Sequence, residues 1–149
     1  MTKIVCPDNR EPIQSVLSWL RASAGYVPRA IMSDCALAIR NAVQAAYEDM
    51  DDGPYHYWCI FHVLKAYRTR ATTYVNNRLE EALVDFRELM FSRVSPDDLW
   101  GNFAAKWANI SAPFLKYVAT TWYQNIDRWA LFYRVVSLLV GQPATRLVK

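Results

Sequence analysis

The sequence predicts a mostly helical α/β fold in which a short βαβ unit precedes a long helical region. Two short runs, residues 30–32 and 55–59, are apolar or aromatic and are bounded by turn residues, which is typical of strands. A stripe of apolar residues at helical spacing lies between them, so these segments form one βαβ unit. Beyond residue 60, apolar residues recur at helical spacing over most of the chain.

An amphipathic helix is predicted before the first strand. Gly25 ends it, because glycine is favoured just past the end of a helix. The helix between the strands follows Asp34 and ends at a cluster of acids before the turn Gly53-Pro54. That cluster lacks the spacing of a calcium loop and predicts a solvated loop. The apolar stripes are Ile13, Val16, Leu17 and Leu20, then Ile39, Ala42, Val43, Ala46 and Tyr47; the acids are Glu48, Asp49, Asp51 and Asp52.

The long helical region contains several separate helices. One begins at about Phe61. A second is predicted to be capped by Asn77, with Glu80 three residues on, as in a capping box. A third starts at Ser95, which offers a hydroxyl N-cap and is followed by a proline and two acids. Pro113 ends or restarts this helix, and another apolar stripe follows through residue 122.

The composition indicates a folded globular chain. Of the 149 residues, 53% are hydrophobic and 21% are charged, which predicts one domain with a real core. The three cysteines are odd in number and widely spaced, so we expect a reducing, intracellular compartment and no disulfide framework. The N-terminus lacks the apolar segment of a secretory signal. The longest apolar run, residues 130–140, is interrupted by Arg134 and is too short for a membrane helix. No membrane association is expected.

Charge is unevenly distributed along the chain. Residues 1–58 carry 5 basic and 7 acidic side chains, whereas residues 59–149 carry 12 basic and 7 acidic ones. Lys65, Arg68, Arg70 and Arg78 lie in a stretch without acids, residues 63–78. Such a stretch can contact phosphates, since DNA affinity grows with each phosphate neutralised. An ordinary solvated helix surface has the same composition, so both interpretations stay open.

Two positions at the ends of the predicted strands could carry chemistry. Asp34 directly follows the first strand, and open α/β sheets bind ligands outside the carboxyl ends of their strands. It could also cap the helix that starts near Cys35, and the two roles are compatible. Cys59 and His62 follow the second strand, but a structural zinc site usually needs four ligands. For this pair, simple packing and contact with a metal or with DNA both stay open.

Three segments together are similar to a known family. Residues 31–42 (IMSDCALAIRNA), 57–62 (YWCIFH) and 128–134 (RWALFYR), in this order, resemble the transposase domain of Mutator-like elements, the MULE family. The resemblance covers roughly residues 10–134 and is incomplete at both ends of the family's domain. It implies a partial RNase H-like fold in residues 1–62, a helical insertion region in residues 63–134 and a divergent tail in residues 135–149.

The resemblance implies a chemistry for Asp34. This residue matches the second acid of a three-carboxylate (DDE) site, in which two Mg²⁺ or Mn²⁺ ions are held for cutting and joining DNA ends. No first acid is assigned, because Asp8 lies in a turn, and residues 135–149 contain no acid for the third position. A lone Asp cannot position two ions, so this chain by itself is expected to be inactive. The alternative is a non-catalytic remnant that binds DNA or a protein partner.

The resemblance also implies partners and a location. Intact relatives act on the DNA ends of transposable elements, so a nuclear location is expected. Cys59 and His62 match the family's Cys-His pair, for which zinc is a candidate ligand. Because few strands are predicted, the sheet edges should be exposed or covered by helices, and an exposed edge allows oligomerisation.

Overall fold

The computed structural model describes residues 10–140. Over these residues the chain is mostly helical with a small parallel sheet, which confirms the predicted α/β class. Two compact units are formed, the first ending at Cys59 and the second beginning at Ile60. No helix in this range is both long enough and apolar enough to cross a membrane. The elements are α1 (Arg10–Ala24), β1 (Ala30–Ser33), α2 (Leu37–Tyr47), β2 (Tyr55–Trp58), α3 (Ile60–Val75), α4 (Leu79–Phe91), α5 (Asp97–Ile110), α6 (Ala112–Thr121), α7 (Ile126–Trp129) and α8 (Leu131–Val140).

The first unit contains the predicted βαβ arrangement. Strands β1 and β2 pair in parallel, with Ala30 opposite Tyr55 and Ser33 opposite Trp58. Helix α2 makes the crossover, since parallel neighbours cannot be joined by a tight hairpin. The amide of Cys59 donates to the carbonyl of Ser33 at 2.7 Å, which extends the pairing one residue beyond β2. The carboxyl ends of the two strands therefore lie side by side.

A small apolar core holds the first unit together. Four residues of α2, namely Ala42, Val43, Ala46 and Tyr47, are buried, as the helical stripe predicted. Helix α1 contributes no buried residue, and Trp19 on this helix is 63% exposed. The apolar contact between α1 and the rest of the unit is therefore thin. Five partly buried side chains complete the cluster: Leu17, Val27, Ile31, Ile39 and Met50.

Arg21 supplements this thin contact by binding the end of α2. Its guanidinium donates to the two carboxylate oxygens of Asp49, at 2.5 and 2.6 Å. It also donates to the carbonyl of Ala46 at 3.0 Å. The hydrogen bonds with Arg21 lower the pKa of Asp49. Arg21 therefore joins α1 to α2 through both a side chain and the backbone.

The second unit has an aromatic core. The ring of Phe86 on α4 lies between those of Tyr67 on α3 and Trp129 on α7, with centroids 3.8 and 4.7 Å away. All three side chains are at most 1% exposed. Their polar atoms are paired, since Tyr67 Oη donates to the Ala82 carbonyl and Trp129 Nε1 donates to the Trp122 carbonyl, each at 2.9 Å. Burial is the main cause that raises the pKa of Tyr67.

Two helix boundaries match the sequence prediction. Gly25, with φ of 61°, ends α1 in the left-handed conformation that glycine adopts without strain. Pro113 lies in the first turn of α6, so it marks the start of a new helix. The residue that caps this restart is Ser111, whose Oγ accepts the amide of Phe114 at 3.3 Å.

Two predicted caps are wrong. A short 3₁₀ turn, Asn76–Arg78, precedes α4, and no side chain caps that helix, so Asn77 has no capping role. Pro96 occupies the cap position of α5, and the hydroxyl of Ser95 instead donates to the Asp97 carboxylate at 3.0 Å. An ionised acceptor binds a hydroxyl more strongly than a neutral partner does, which accounts for the second difference.

Candidate functional site

Asp34 lies directly after β1, at the carboxyl end of the parallel sheet. Its Oδ1 accepts the amide of Ala36 at 2.9 Å, which closes an Asx turn. Helix α2 begins only at Leu37, with Ala36 in the cap position, so the predicted N-cap role of Asp34 is wrong. The turn engages one of roughly four lone-pair positions of the carboxylate, which keeps acceptor capacity for a cation. The position suits a metal ligand but does not by itself make a metal site.

Ser33 and His56 join the two strand ends beside Asp34. Ser33 Oγ donates to the carbonyl of Asp34 at 2.7 Å and lies 2.7 Å from Nε2 of His56. Because the hydroxyl has a single proton, Nε2 of the imidazole must be the donor to Ser33. The resulting chain of bonds holds the backbone of Asp34 rather than its carboxylate.

The contact between Ser33 and His56 was not predicted from the sequence. The two residues are 23 positions apart, and their contact depends on the strand register, in which Ile31 lies opposite His56. Ser33, two residues further along β1, is a diagonal neighbour of His56 on the same face of the sheet. Only a prediction of the register between β1 and β2 could have revealed this contact.

Cys35 and Cys59 lie at the same end of the sheet, and both are partly exposed. Burial raises the pKa of Cys35, and the charges of Asp34 and Cys59 raise it further, against a backbone hydrogen bond that lowers it. Zinc binding and nucleophilic attack both require the thiolate. The surroundings of Cys35 therefore favour the less reactive, protonated form.

Cys59 and His62 occupy different elements. Cys59 follows β2, and His62 is exposed in the first turn of α3, where its ring meets that of Phe61 edge-on at 5.4 Å. Within residues 10–140, no three His, Cys, Asp or Glu side chains gather into a group that could hold a metal ion. The zinc role of Cys59 and His62 and the magnesium role of Asp34 stay predictions.

Two of the four basic residues predicted to contact phosphate are engaged by acids. The guanidinium of Arg78 donates to both carboxylate oxygens of Glu81, at 2.7 and 2.9 Å. Arg68 lies 3.5 Å from Glu80, and both side chains are more than half exposed, so this pair is weak. Residues 63–78 contain no acid, but Glu80 and Glu81, which come directly afterwards in the sequence, contact Arg68 and Arg78.

Lys65 and Arg70 are exposed on α3 and point in different directions, because residues five positions apart on a helix are separated by about 140°. Helix α6, which packs against α3 through Phe114, adds Lys116. Neither helix contains an acid. We call the exposed residues of these two helices the α3–α6 surface. The acids within residues 60–140 lie instead on α4, α5 and α7.

Threonine hydroxyls are frequent on the α3–α6 surface. In four of these threonines the hydroxyl donates to a backbone carbonyl of the preceding helical turn, as threonine commonly does in helices. The single proton of each hydroxyl is therefore directed inward. The bonds run from Thr69, Thr72 and Thr73 to Lys65, Arg68 and Arg70, at 3.0, 2.9 and 2.7 Å, and from Thr120 to Lys116 at 2.8 Å.

A cluster of ion pairs joins α4 to α5 and was also missed from the sequence. Lys106 Nζ lies 2.8 Å from Glu81 Oε1 and 2.7 Å from Asp85 Oδ2. Trp107 Nε1 donates to the same oxygen of Asp85 at 2.8 Å. Hydrogen bonds from Arg78 and then Lys106 lower the pKa of Glu81. Because side chains of both helices bind these carboxylates, the cluster connects α4 to α5.

Comparisons with protein-family models, with curated proteins and with solved structures found no match to this chain.

Proposed function

We propose that this chain is part of the catalytic domain of a Mutator-like DNA transposase, with Asp34 as one of its metal ligands. The observation that carries the proposal is the position of Asp34 directly after β1 of a parallel βαβ unit. Carboxylates at that edge of a sheet can face a ligand or a metal. The family resemblance of residues 31–42, 57–62 and 128–134 supplies the identity of the chemistry.

By itself the chain does not cut DNA under this proposal. Two-metal cleavage requires several oxygen ligands that hold both ions at once. Asp34 is the one carboxylate that matches the family's pattern, and one carboxylate holds Mg²⁺ only weakly. The expected activity of the chain is therefore weak metal binding without cleavage.

Metal binding is tested by adding Mn²⁺ to the ¹⁵N-labelled chain. We expect paramagnetic broadening of the amide signals of residues 33–37. This broadening should be lost in Asp34→Asn. Asn keeps the acceptor for the Ala36 amide but removes the negative charge, so it separates metal binding from folding. Asp51→Asn, in the acidic loop, is the matched control and should leave the broadening near residue 34 intact.

Two outcomes would contradict parts of the proposal. Equal broadening near residue 34 in the wild type and in Asp34→Asn would remove the metal role. Mg²⁺-dependent nicking of supercoiled plasmid by the wild type, lost in Asp34→Asn, would overturn the claim that the chain does not cut DNA.

A second candidate is a DNA-binding function without catalysis. The observation that favours it is the α3–α6 surface, which carries Lys65, Arg70 and Lys116 and contains no acid of its own. DNA binding through phosphates weakens steeply with salt, because neutralising phosphates releases counterions. We expect a labelled duplex to bind the full chain with a logarithmic salt slope of about −1 to −2, which corresponds to one or two phosphate contacts, because Lys65 and Arg70 point in different directions and do not face one duplex together.

Charge reversal on this surface tests the second candidate. Lys65→Glu combined with Lys116→Glu should abolish duplex binding at low salt. Arg87→Glu combined with Arg93→Glu, on and just after α4, is the matched control and should change the affinity much less. Equal losses in both double variants would show that net charge alone, rather than this surface, drives binding.

A further inference from the structure

An aromatic pair with an adjacent cation lies at the contact between α3 and α6. The rings of Tyr74 and Tyr117 are nearly parallel, with centroids 5.4 Å apart and an interplanar angle of 16°. The guanidinium of Arg70 lies over the Tyr74 ring at 5.7 Å from its centroid. Arg70 is exposed, and the two tyrosines are partly exposed. We call these three residues the stacking group.

The stacking group is held in position from below. The hydroxyl of Tyr117 accepts Nε1 of the buried Trp122 at 2.8 Å. Tyr74 packs against the buried ring of Phe114, with centroids 6.3 Å apart. Rings that are fixed before a ligand arrives lose little side-chain entropy on binding. The arrangement is therefore preorganised rather than a chance contact of mobile side chains.

The surroundings of the stacking group select an anionic partner. Helices α3 and α6 lie entirely within stretches of the sequence that contain no acid, residues 53–79 and 99–126. No carboxylate on either helix therefore repels a phosphate beside these rings. A partner that combines flat aromatic groups with negative charge complements tyrosine rings beside an arginine.

We infer that the stacking group binds single-stranded DNA: an unpaired base stacks on the Tyr74 ring in place of the exposed Arg70 guanidinium, which turns aside to contact the backbone phosphate. Aromatic side chains with nearby cations form the common platform for single strands, since every base has a π face. In a duplex the bases stack on one another and cannot reach a side-chain ring. The inference rests on the proposed DNA-binding role of this surface and adds a preference for unpaired DNA.

The test compares two probes on the full chain by fluorescence anisotropy. The probes are a labelled 15-nucleotide oligothymidylate and a labelled 15-base-pair duplex of mixed sequence. Tyr74→Leu keeps apolar volume over Phe114 but removes the π face. We expect single-strand affinity to fall about 5- to 100-fold in this variant and duplex affinity to stay within twofold.

Two further variants separate stacking from folding and from charge. Tyr74→Phe keeps the aromatic ring and should retain single-strand affinity. Retained affinity would show that a loss in Tyr74→Leu comes from the missing ring and not from any change at this position. Arg70→Gln should weaken both probes, whereas the control Arg87→Gln on α4 should weaken neither. Thermal unfolding followed by circular dichroism checks that Tyr74→Leu remains folded.

The outcomes separate this inference from the proposed function. If the wild type binds the duplex and Tyr74→Leu loses no single-strand affinity, base stacking on the stacking group is refuted. The proposed DNA-binding role of the α3–α6 surface is then still supported. Equal losses on both probes in Tyr74→Leu also overturn the preference for unpaired bases. Failure of the wild type to bind either probe overturns both proposals.

Discussion

The hydroxyl of Ser33 lies 2.7 Å from Nε2 of His56, and this contact joins the carboxyl ends of the two strands. The same hydroxyl donates to the carbonyl of Asp34. The residue matched to a metal ligand is thus anchored through its backbone by a side chain from the neighbouring strand. In a sheet of two short strands, such a bond contributes a large share of the order at the strand ends.

Replacing Ser33 with Ala removes both bonds at this edge of the sheet. We expect the first unit to lose about 1 kcal/mol of stability, the usual net value of a partly buried hydrogen bond. Hydrogen exchange of the β1 and β2 amides measures the change. Ser15→Ala on the exposed side of α1 is the control, and unchanged exchange in Ser33→Ala would contradict the anchoring role.

Replacing Asp49 with Asn removes the charged partner of Arg21. Since α1 has no buried residue, we expect its amides to exchange faster while those of α4 do not change. Asp51→Asn, an exposed acid in the same loop, should leave the exchange of α1 as it is. Equal effects of the two variants would mean that the loop charge, not the Arg21 contact, holds α1.

Replacing Phe86 with Ala opens a cavity between Tyr67 and Trp129. Loss of a fully buried phenyl group costs about 3–5 kcal/mol, so we expect the second unit to lose most of its stability. Urea unfolding followed by tryptophan fluorescence measures the change. Val84→Ala on the exposed side of the same helix should cost less than about 0.5 kcal/mol. Similar costs for the two variants would contradict the packing described for α4.

The stability of the second unit should depend on Glu81 in a pH-dependent way. Ion pairing lowers the pKa of Glu81 below its ordinary value of 4.5. A carboxylate of this kind stabilises the fold above its unfolded-state pKa, and the contribution disappears as the pH falls through the folded-state pKa. We expect the wild type to be more stable than Glu81→Gln at neutral pH, and the difference to shrink as the pH falls below 4.5 and through the lowered pKa of Glu81. Urea unfolding at several pH values measures this difference.

The control for this pH dependence is Glu88→Gln, which changes an exposed carboxylate on the same helix. Its difference from the wild type should stay nearly constant over the same pH range. A difference for Glu81→Gln that persists at low pH would mean that the side chain acts through packing and not through its charge.

Hydrophobic spacing in the sequence predicted most of the fold. The stripe of α2 and the two strands were predicted correctly, because the period of the apolar residues differs clearly between a helix and a strand. The caps at Asn77 and Ser95 were mispredicted for a physical reason. Side-chain oxygens there compete for several nearby partners, and the sequence alone does not say which partner wins.

The candidate site was predictable only in part. The location of Asp34 at a strand end followed from a strand directly preceding a helix. The pairing of Ser33 with His56 and of Tyr74 with Tyr117 depends on strand register and helix packing, which local spacing does not encode. The neutralisation of Arg78 by Glu81 crosses the boundary between two helical segments, where the sequence analysis treated the basic stretch as isolated.

The inward bonds of the threonines determine what a polyanion meets on the α3–α6 surface. A hydroxyl whose proton is held by a carbonyl shows only lone pairs to the solvent, and phosphate oxygens cannot accept from lone pairs. These threonines therefore offer no proton to a phosphate, and lysine and arginine supply the direct attraction. DNA bound as we propose would be held by charge at a few points and would meet acceptors rather than donors between them.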